Sequence, residues 1–306
     1  MKLFTTSAVA TLLAITAIAH PLKRQAAVTD VDILQYALTL EHLENTFYKG
    51  AISSMSEADF MAAGFSSAYY NNLKYITHDE EQHVELLSSA LMAAGQTPVA
   101  ACTYDFPYTD PKSFVTLASV LEGVGTSAYL GGAGLITSKA YLGVAGSILV
   151  TESLHTSVQR FNLGEVAPAN PYGTALGLNP VYTLAAAFIT SCPSTNAALP
   201  VMAFPTLTAT QGIPAAENMT FTFSVKGALP TTFYVVFVSG LSTTSVMPTM
   251  QGDMIAAVIP PTAMGQTYVF ISKSMTNGTI TDAMILYGPA VIEVTPPAPT
   301  FDLSEH

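Results

Sequence analysis

Two segments of this chain carry Leu-Glu followed, seven residues after the glutamate, by tyrosine: Leu40-Glu41 with Tyr48, and Leu121-Glu122 with Tyr129. Each is followed by a segment bearing Glu-x-x-His, Glu80 with His83 and then Glu152 with His155. The order Glu, Glu-x-x-His, Glu, Glu-x-x-His is a weak internal repeat, and it narrows the folds open to the chain. On a helix, residues i and i+3 are neighbours on one face, so Glu80 and His83 point the same way, as do Glu152 and His155. All these carboxylates and imidazoles meet if the segments are helices packed side by side with those faces inward. From Ser113 to Thr151 the only acidic residue is Glu122 and the only basic one is Lys139. A carboxylate alone on so apolar a helix is costly to bury unless something pairs with it.

A pair of divalent metal ions would satisfy Glu41, Glu80, His83, Glu122, Glu152 and His155 together, and this donor pattern is that of di-iron and di-manganese carboxylate bundles. Glutamate and histidine suit Fe or Mn better than soft ions. Glu41 and Glu122 can serve as bridging or terminal ligands, and the spacing leaves that open. Glu44, one turn from Glu41, competes for the same role, and Glu81 reads as solvated. His42 and His78 read as surface residues or neighbours of ligands. Asp79 precedes the first Glu-x-x-His and can accept the distal N–H of a ligand histidine on the opposite helix, whereas the second copy has Thr151 there, a weaker acceptor. Tyr48 and Tyr129 are expected either to donate to ligand carboxylates or simply to pack in the bundle. The plain alternative to a metal centre is a hydrogen-bonded polar core.

Around this repeat the pattern predicts helices over 30–50, 66–94, 110–138, 140–163 and 181–191. Asp110-Pro111 opens the third with an acid at the cap and proline in the first turn. Residues 95–110 read as a long crossover. From about residue 195 the pattern changes. Runs such as FTFSVKG, TTFYVVFVSG, MIAAVIP, TYVFISKS and DAMILYGPAVIEV, separated by Gly, Pro and Asn, predict short strands. The expected fold is a multi-domain α + β chain: a helical bundle over 28–195, a β-sandwich over 200–296 that immunoglobulin-like order would suit, and a loose tail over 297–306.

Residues 1–24 have the basic start, apolar run and Ala17-Ile18-Ala19 of a secretory signal peptide, with Lys23-Arg24 a candidate second cleavage site. The run is too short for a comfortable membrane span, and none is expected later. Lys and Arg number 10 against 21 Asp and Glu, a net charge of −11. Losing the leader removes basic residues and no acid. So acidic a chain repels phosphate backbones, so nucleic acid is not an expected partner. In an oxidising compartment Cys102 and Cys192 read as one disulfide, the alternative being two buried thiols. Asn218 and Asn277 begin glycosylation sequons. The expected location is extracellular or in the cell wall.

The segments DVDILQYALTLEHLENTFY, ITHDEEQHVELLSSAL, SFVTLASVLEGVGTSAYLG and ILVTESLHTSVQRF resemble the ferritin-like domain of secreted fungal stress-response and late sexual development proteins and of plant desiccation-related proteins. The resemblance covers residues 30–195 and includes all six proposed ligands. It implies a ferritin-like four-helix bundle with a crossover between its second and third helices, and little about reaction. Two functional classes stay open. One is an oxidoreductase of peroxidase, catalase or oxidase type acting on oxygen or peroxide. The other is a non-catalytic structural or protective protein whose metal site is a stabiliser or a relic and whose β-rich half contacts the cell wall.

Overall fold

The computed structural model describes residues 28–211 and 214–301. The expected leader, the dibasic site and the last five residues of the tail lie outside the described residues. Helix α1 (Asp30–Ser54) begins at Thr29, whose hydroxyl accepts from Asp32 N while Asp32 accepts from Thr29 N at 2.8 Å, a reciprocal cap. Asp30 does something else. Its carboxylate accepts from Thr137 N at 2.7 Å and Ser138 N at 2.9 Å, pinning the turn on the far side of the bundle.

A short helix α2 (Glu57–Ala62), absent from the sequence reading, is capped by Ser56 and Asp59. Helix α3 (Ser67–Ala93) follows, then the crossover, then α4 (Pro111–Ala133) capped by Asp110. The predicted third helix was to reach residue 138, but α4 stops at Ala133. Glycines 131, 132 and 134 weaken the end of the helix, and Asp30 captures the amides beyond it. Helix α5 (Lys139–Asn162) starts at the Ser138 cap. Helices α1 and α3 pack as one pair, and α4 and α5 as the other.

The crossover is tied down at both ends. Gln35 of α1 donates to Thr97 O at 2.8 Å and accepts from Val99 N at 2.9 Å. Farther along, β1 (Thr103–Tyr104) pairs antiparallel with β2 (Ile189–Ser191), beside the disulfide Cys102–Cys192. This corrects the expected last helix. Helix α6 covers Leu178–Ala186, and the chain then turns extended because Ile189-Thr190-Ser191 finds a partner strand next to the disulfide.

The C-terminal half is two sheets. One has the order β3 (Leu207–Ala209), β5 (Thr220–Val225), β9 (Met254–Val258), β8 (Thr249–Gln251). The other has β4 (Ala215–Ala216), β11 (Ile285–Thr295), β10 (Gly265–Ser272), β6 (Tyr234–Ser239), β7 (Ser242–Val246). The first reads as A-B-E-D and the second contains G-F-C with one added strand beyond C, the arrangement of an immunoglobulin sandwich. Phe221, Phe223 and Ile255 from one sheet meet Val235, Phe237, Val269 and Ile271 from the other in one core.

The second sheet is buried on both faces. Val236, Val238, Tyr268 and Phe270 point the other way and join the helical core around Leu176, Val181 and Ala185. That is why YVVFVS and TYVFIS are continuous apolar runs and not alternating ones. The weaker strands β7 and β8, Thr- and Ser-rich or only three residues long, carry no such signal in the sequence. Asn218 and Asn277 both lie in exposed turns.

Candidate metal centre

Near the middle of the bundle Glu41, Glu80, Glu122 and Glu152 are completely buried, with His83 and His155 nearly so. All six sequence-predicted donors converge. They form two overlapping clusters whose donor atoms lie within 4.8 Å of one another: Glu41, Glu80, His83 and Glu152, and Glu80, Glu122, Glu152 and His155. Glu80 and Glu152, from the two Glu-x-x-His motifs, belong to both clusters, while Glu41 and Glu122 each belong to one. The carboxylates common to both clusters are thus those on α3 and α5.

Nδ1 of His83 lies 3.2 Å from Glu41, 3.5 Å from Glu80 and 3.5 Å from Glu152. Nδ1 of His155 lies 3.0 Å from Glu80 and 3.4 Å from Glu122. Of these, His83–Glu41 is aligned as a hydrogen bond and the others are proximity alone. Both oxygens of Glu80 and of Glu152, Oε2 of Glu122 and Nδ1 of His155 have no aligned partner. Buried polar atoms are normally paired. So many unpartnered atoms facing one space form a donor set that a cation would fit.

Burial sets the protonation of the metal-free cluster. It raises Glu80 to about 7, against the opposing pull of His155 and His83. Burial likewise raises Glu152 well above the usual carboxylate range, and Glu80 adds to the shift. For His155 burial favours the neutral ring, but Glu122 and Glu80 outweigh it and push the imidazole up to about 12. His83 is raised in the same way by Glu152, Glu41 and Glu80. Without metal, the cluster therefore retains protons that a cation would displace.

The tyrosines cross over. Tyr48 of α1 donates to Glu122 of α4, and Tyr129 of α4 donates to Glu41 of α1. The Leu-Glu repeat is thus a structural pseudo-twofold. Burial first, then the adjacent glutamate, raises both phenols, which keeps them protonated donors. Asp79 Oδ2 lies 3.3 Å from Nε2 of His155, on the opposite helix. Thr151 is a correction: its hydroxyl donates at 3.4 Å to Ser147 O of its own helix, and among the described residues no histidine donates to it. Mid-helix threonine has that carbonyl within reach.

Glu81 pairs with Lys49 at 2.6 Å on the surface, His42 contacts Val99 O at 3.0 Å, and His78 is exposed. Glu44 is buried beside the cluster, and burial, then Glu152, raises its carboxyl strongly. Gly125 makes room for it. A Cβ there would lie 2.5 Å from Glu152 Oε2 and 3.0 Å from Glu44 Oε1. Sequence reasoning also missed Gln159, which donates to Tyr48 at 2.9 Å and accepts from Tyr69. Its place one turn after His155 was the available signal.

Residues 29–165 match the family model described as Ferritin-like domain. The match holds α1 to α5 and every residue of both clusters, and it ends before the β-rich half. A curated relative, protein rds1 of Schizosaccharomyces pombe, is 26% identical over 182 residues, covering 58% of this chain and 44% of that protein. The aligned region thus spans less than half the length of that relative. A crystal structure of a conserved hypothetical protein, rv2844, from Mycobacterium tuberculosis aligns at 19% identity, covering 44% of this chain and 91% of that one, with a TM-score of 0.38.

Proposed function

We propose that this chain, whose helical region is ferritin-like, is a secreted di-metal oxidoreductase that uses two Fe or Mn ions to react with oxygen or peroxide. The observation that carries this reading is the sharing of Glu80 and Glu152 between two donor clusters that each own one histidine. A single ion would need only one cluster and would leave the other histidine and the inward oxygen of the other glutamate unused, its outer oxygen being held by a tyrosine. Four carboxylates balance the charge of two divalent ions. When bound, such a pair supplies reversible one-electron oxidation of each metal.

The chain's own residues have distinct parts in this reading. Glu80 and Glu152, common to both clusters, would hold the pair together with Glu41 and His83 on one side and Glu122 and His155 on the other. Tyr129 and Tyr48 hold one oxygen each of Glu41 and Glu122, leaving the other oxygen directed inward. Asp79 accepts the Nε2 proton of His155, which fixes Nδ1 as the donor facing the centre. The two positions are therefore unequal, since no acid stands in the corresponding place for His83. Secretion agrees with the Cys102–Cys192 disulfide. Among the described residues no helix is long and apolar enough to cross a membrane.

The test loads wild type and Glu122→Ala with Fe(II) and, separately, Mn(II), and follows peroxide and oxygen consumption. Turnover by the wild type, lost in Glu122→Ala with the fold retained, is the expected result. Two bound ions with no turnover of either oxidant would overturn the redox reading and leave a metal-stabilised structural protein.

A further inference from the structure

The helical region holds a cavity of about 210 Å³ between α1, α3, α4 and α5, at the end where α1 begins and α3 finishes. Its origin is visible in the sequence. Ala37, Ala90, Ala128 and Ala145, one from each helix, line it where larger side chains would have closed the space. The opposite end of the same bundle is filled, with Phe47 stacked on Phe114 and Phe60 edge-on to Phe114. Helices ordinarily pack closely against one another, so an apolar cleft of this size left among four of them is a departure that needs a reason.

The wall is almost wholly carbon, and leucine, isoleucine and tyrosine rings or methyls complete it. The one charged residue at its edge, Asp30, is already engaged by Thr137 and Ser138. Leu86 and Val144, at 44% and 37% exposure, flank the cavity on α3 and α5 and connect it to solvent. Its inner end approaches the carboxylate cluster. Ala37 stands one helical turn before Glu41, and Leu87 one turn after His83, a step of about 5 Å. Tyr129 belongs to both places: it lines the cavity, and its hydroxyl donates to Glu41.

We propose that this cavity binds a small uncharged apolar molecule, a single-ring aromatic or a short alkyl chain, with one end against Tyr129. Size sets the first limit: an engineered apolar cavity of about 150 Å³ in another protein stays dry and takes up benzene. Lining sets the second. A sugar, an amino acid or an ion would enter without partners for its polar groups, which is costly. The bound molecule lies on the Glu41–His83 side of the cluster, away from Asp79. That it is the organic substrate of the metal centre rests on the function proposed above; that it binds at all does not.

The experiment uses metal-free full-length protein titrated with toluene and with n-octane, sodium benzoate being the charged control. Methyl NMR shifts of the lining alanines and leucines and the thermal midpoint are followed together. Saturable shifts confined to those methyls, with a raised midpoint for the two neutral probes and none for benzoate, are expected. Ala37→Leu and, at the more open side, Ala145→Leu fill the space and should raise the half-saturating concentration by roughly tenfold or more. Either variant suffices if it folds by circular dichroism. Non-saturating shifts, equal binding by a filled variant, or equal binding of benzoate would overturn the pocket. Metal content measured on the same preparations separates the two ideas. Toluene binding without metal uptake keeps the pocket and removes the di-metal reading. Metal uptake without toluene binding does the reverse.

Discussion

Among the described residues two buried charged clusters are built in opposite ways. At the junction between the helices and the sandwich, Arg160 of α5 places Nη1 and Nη2 each 2.6 Å from the two oxygens of Glu293 of β11. Its Nε and Nη2 also donate to Val166 O at 3.1 and 2.9 Å. At the centre of the bundle, six acids and histidines are equally buried, yet many of their polar atoms lack aligned partners. In the first cluster both oxygens of Glu293 are paired by Arg160, and Glu165 Oε2, 3.9 Å from Arg160 Nη1, is the one acid oxygen there without an aligned partner. In the second, both oxygens of Glu80 and of Glu152 and one of Glu122 lack one. Burial of charge by itself does not mark a functional site; unsatisfied burial converging on one space does.

The largest expected effect breaks the Arg160–Glu293 pair. Arg160→Ala leaves Glu293 buried and unpaired and should destabilise the fold by about 3–5 kcal/mol, read by chemical denaturation. Replacing both partners, Arg160→Met with Glu293→Leu, should recover most of that loss. The central cluster should lose less. In metal-free protein Glu122→Leu removes a partner of Tyr48 and His155 but also one of several crowded carboxylates, so its cost should stay well below that of Arg160→Ala. A loss as large as that of Arg160→Ala would mean the central cluster is already satisfied without metal.

Protonation sharpens the contrast. Burial raises Glu80 to about 7 in the folded chain from its ordinary value of 4.5. A raised carboxyl contributes stability that is present below the unfolded value and lost as pH rises through the folded one. Metal-free protein should therefore lose stability between about pH 4.5 and 7 through this group. Bound metal should flatten that decline, because it replaces the proton. Thermal midpoints across this range, with and without Mn(II), give the comparison; identical profiles would argue against metal at Glu80. Smaller again is the effect of Asp79→Ala, expected to lower affinity at the His155 position by about 10–100-fold. Thr151→Ala, whose hydroxyl serves only its own helix, should leave affinity unchanged.

The donor set was legible in the sequence because a lone acid on an apolar helix stands out and i, i+3 spacing fixes a face. The division into shared and unshared carboxylates was not legible, because it depends on how close α3 and α5 approach. Thr151 misled for a related reason: its position matches Asp79, but a threonine on a helix has its own carbonyl to bond. Glu44 was legible as a rival of Glu41 one turn away, but its burial beside the cluster and the room Gly125 makes for it are tertiary facts. In the β-rich half, strands covered on both faces were found from their apolar runs. β7 and β8 were missed because threonine and serine carry no burial signal. The Arg160–Glu293 pair, 133 residues apart, left no local trace.

The central claim is that Glu41, Glu80, His83, Glu122, Glu152 and His155 form one two-ion centre with Glu80 and Glu152 in common. Metal counted per chain after loading and removal of excess ion tests it most directly, in wild type, His83→Ala and Glu80→Ala side by side. The account predicts two ions in the wild type, one after loss of the unshared histidine, and none held after loss of the shared glutamate. One ion in the wild type, or equal losses in the two variants, would contradict it.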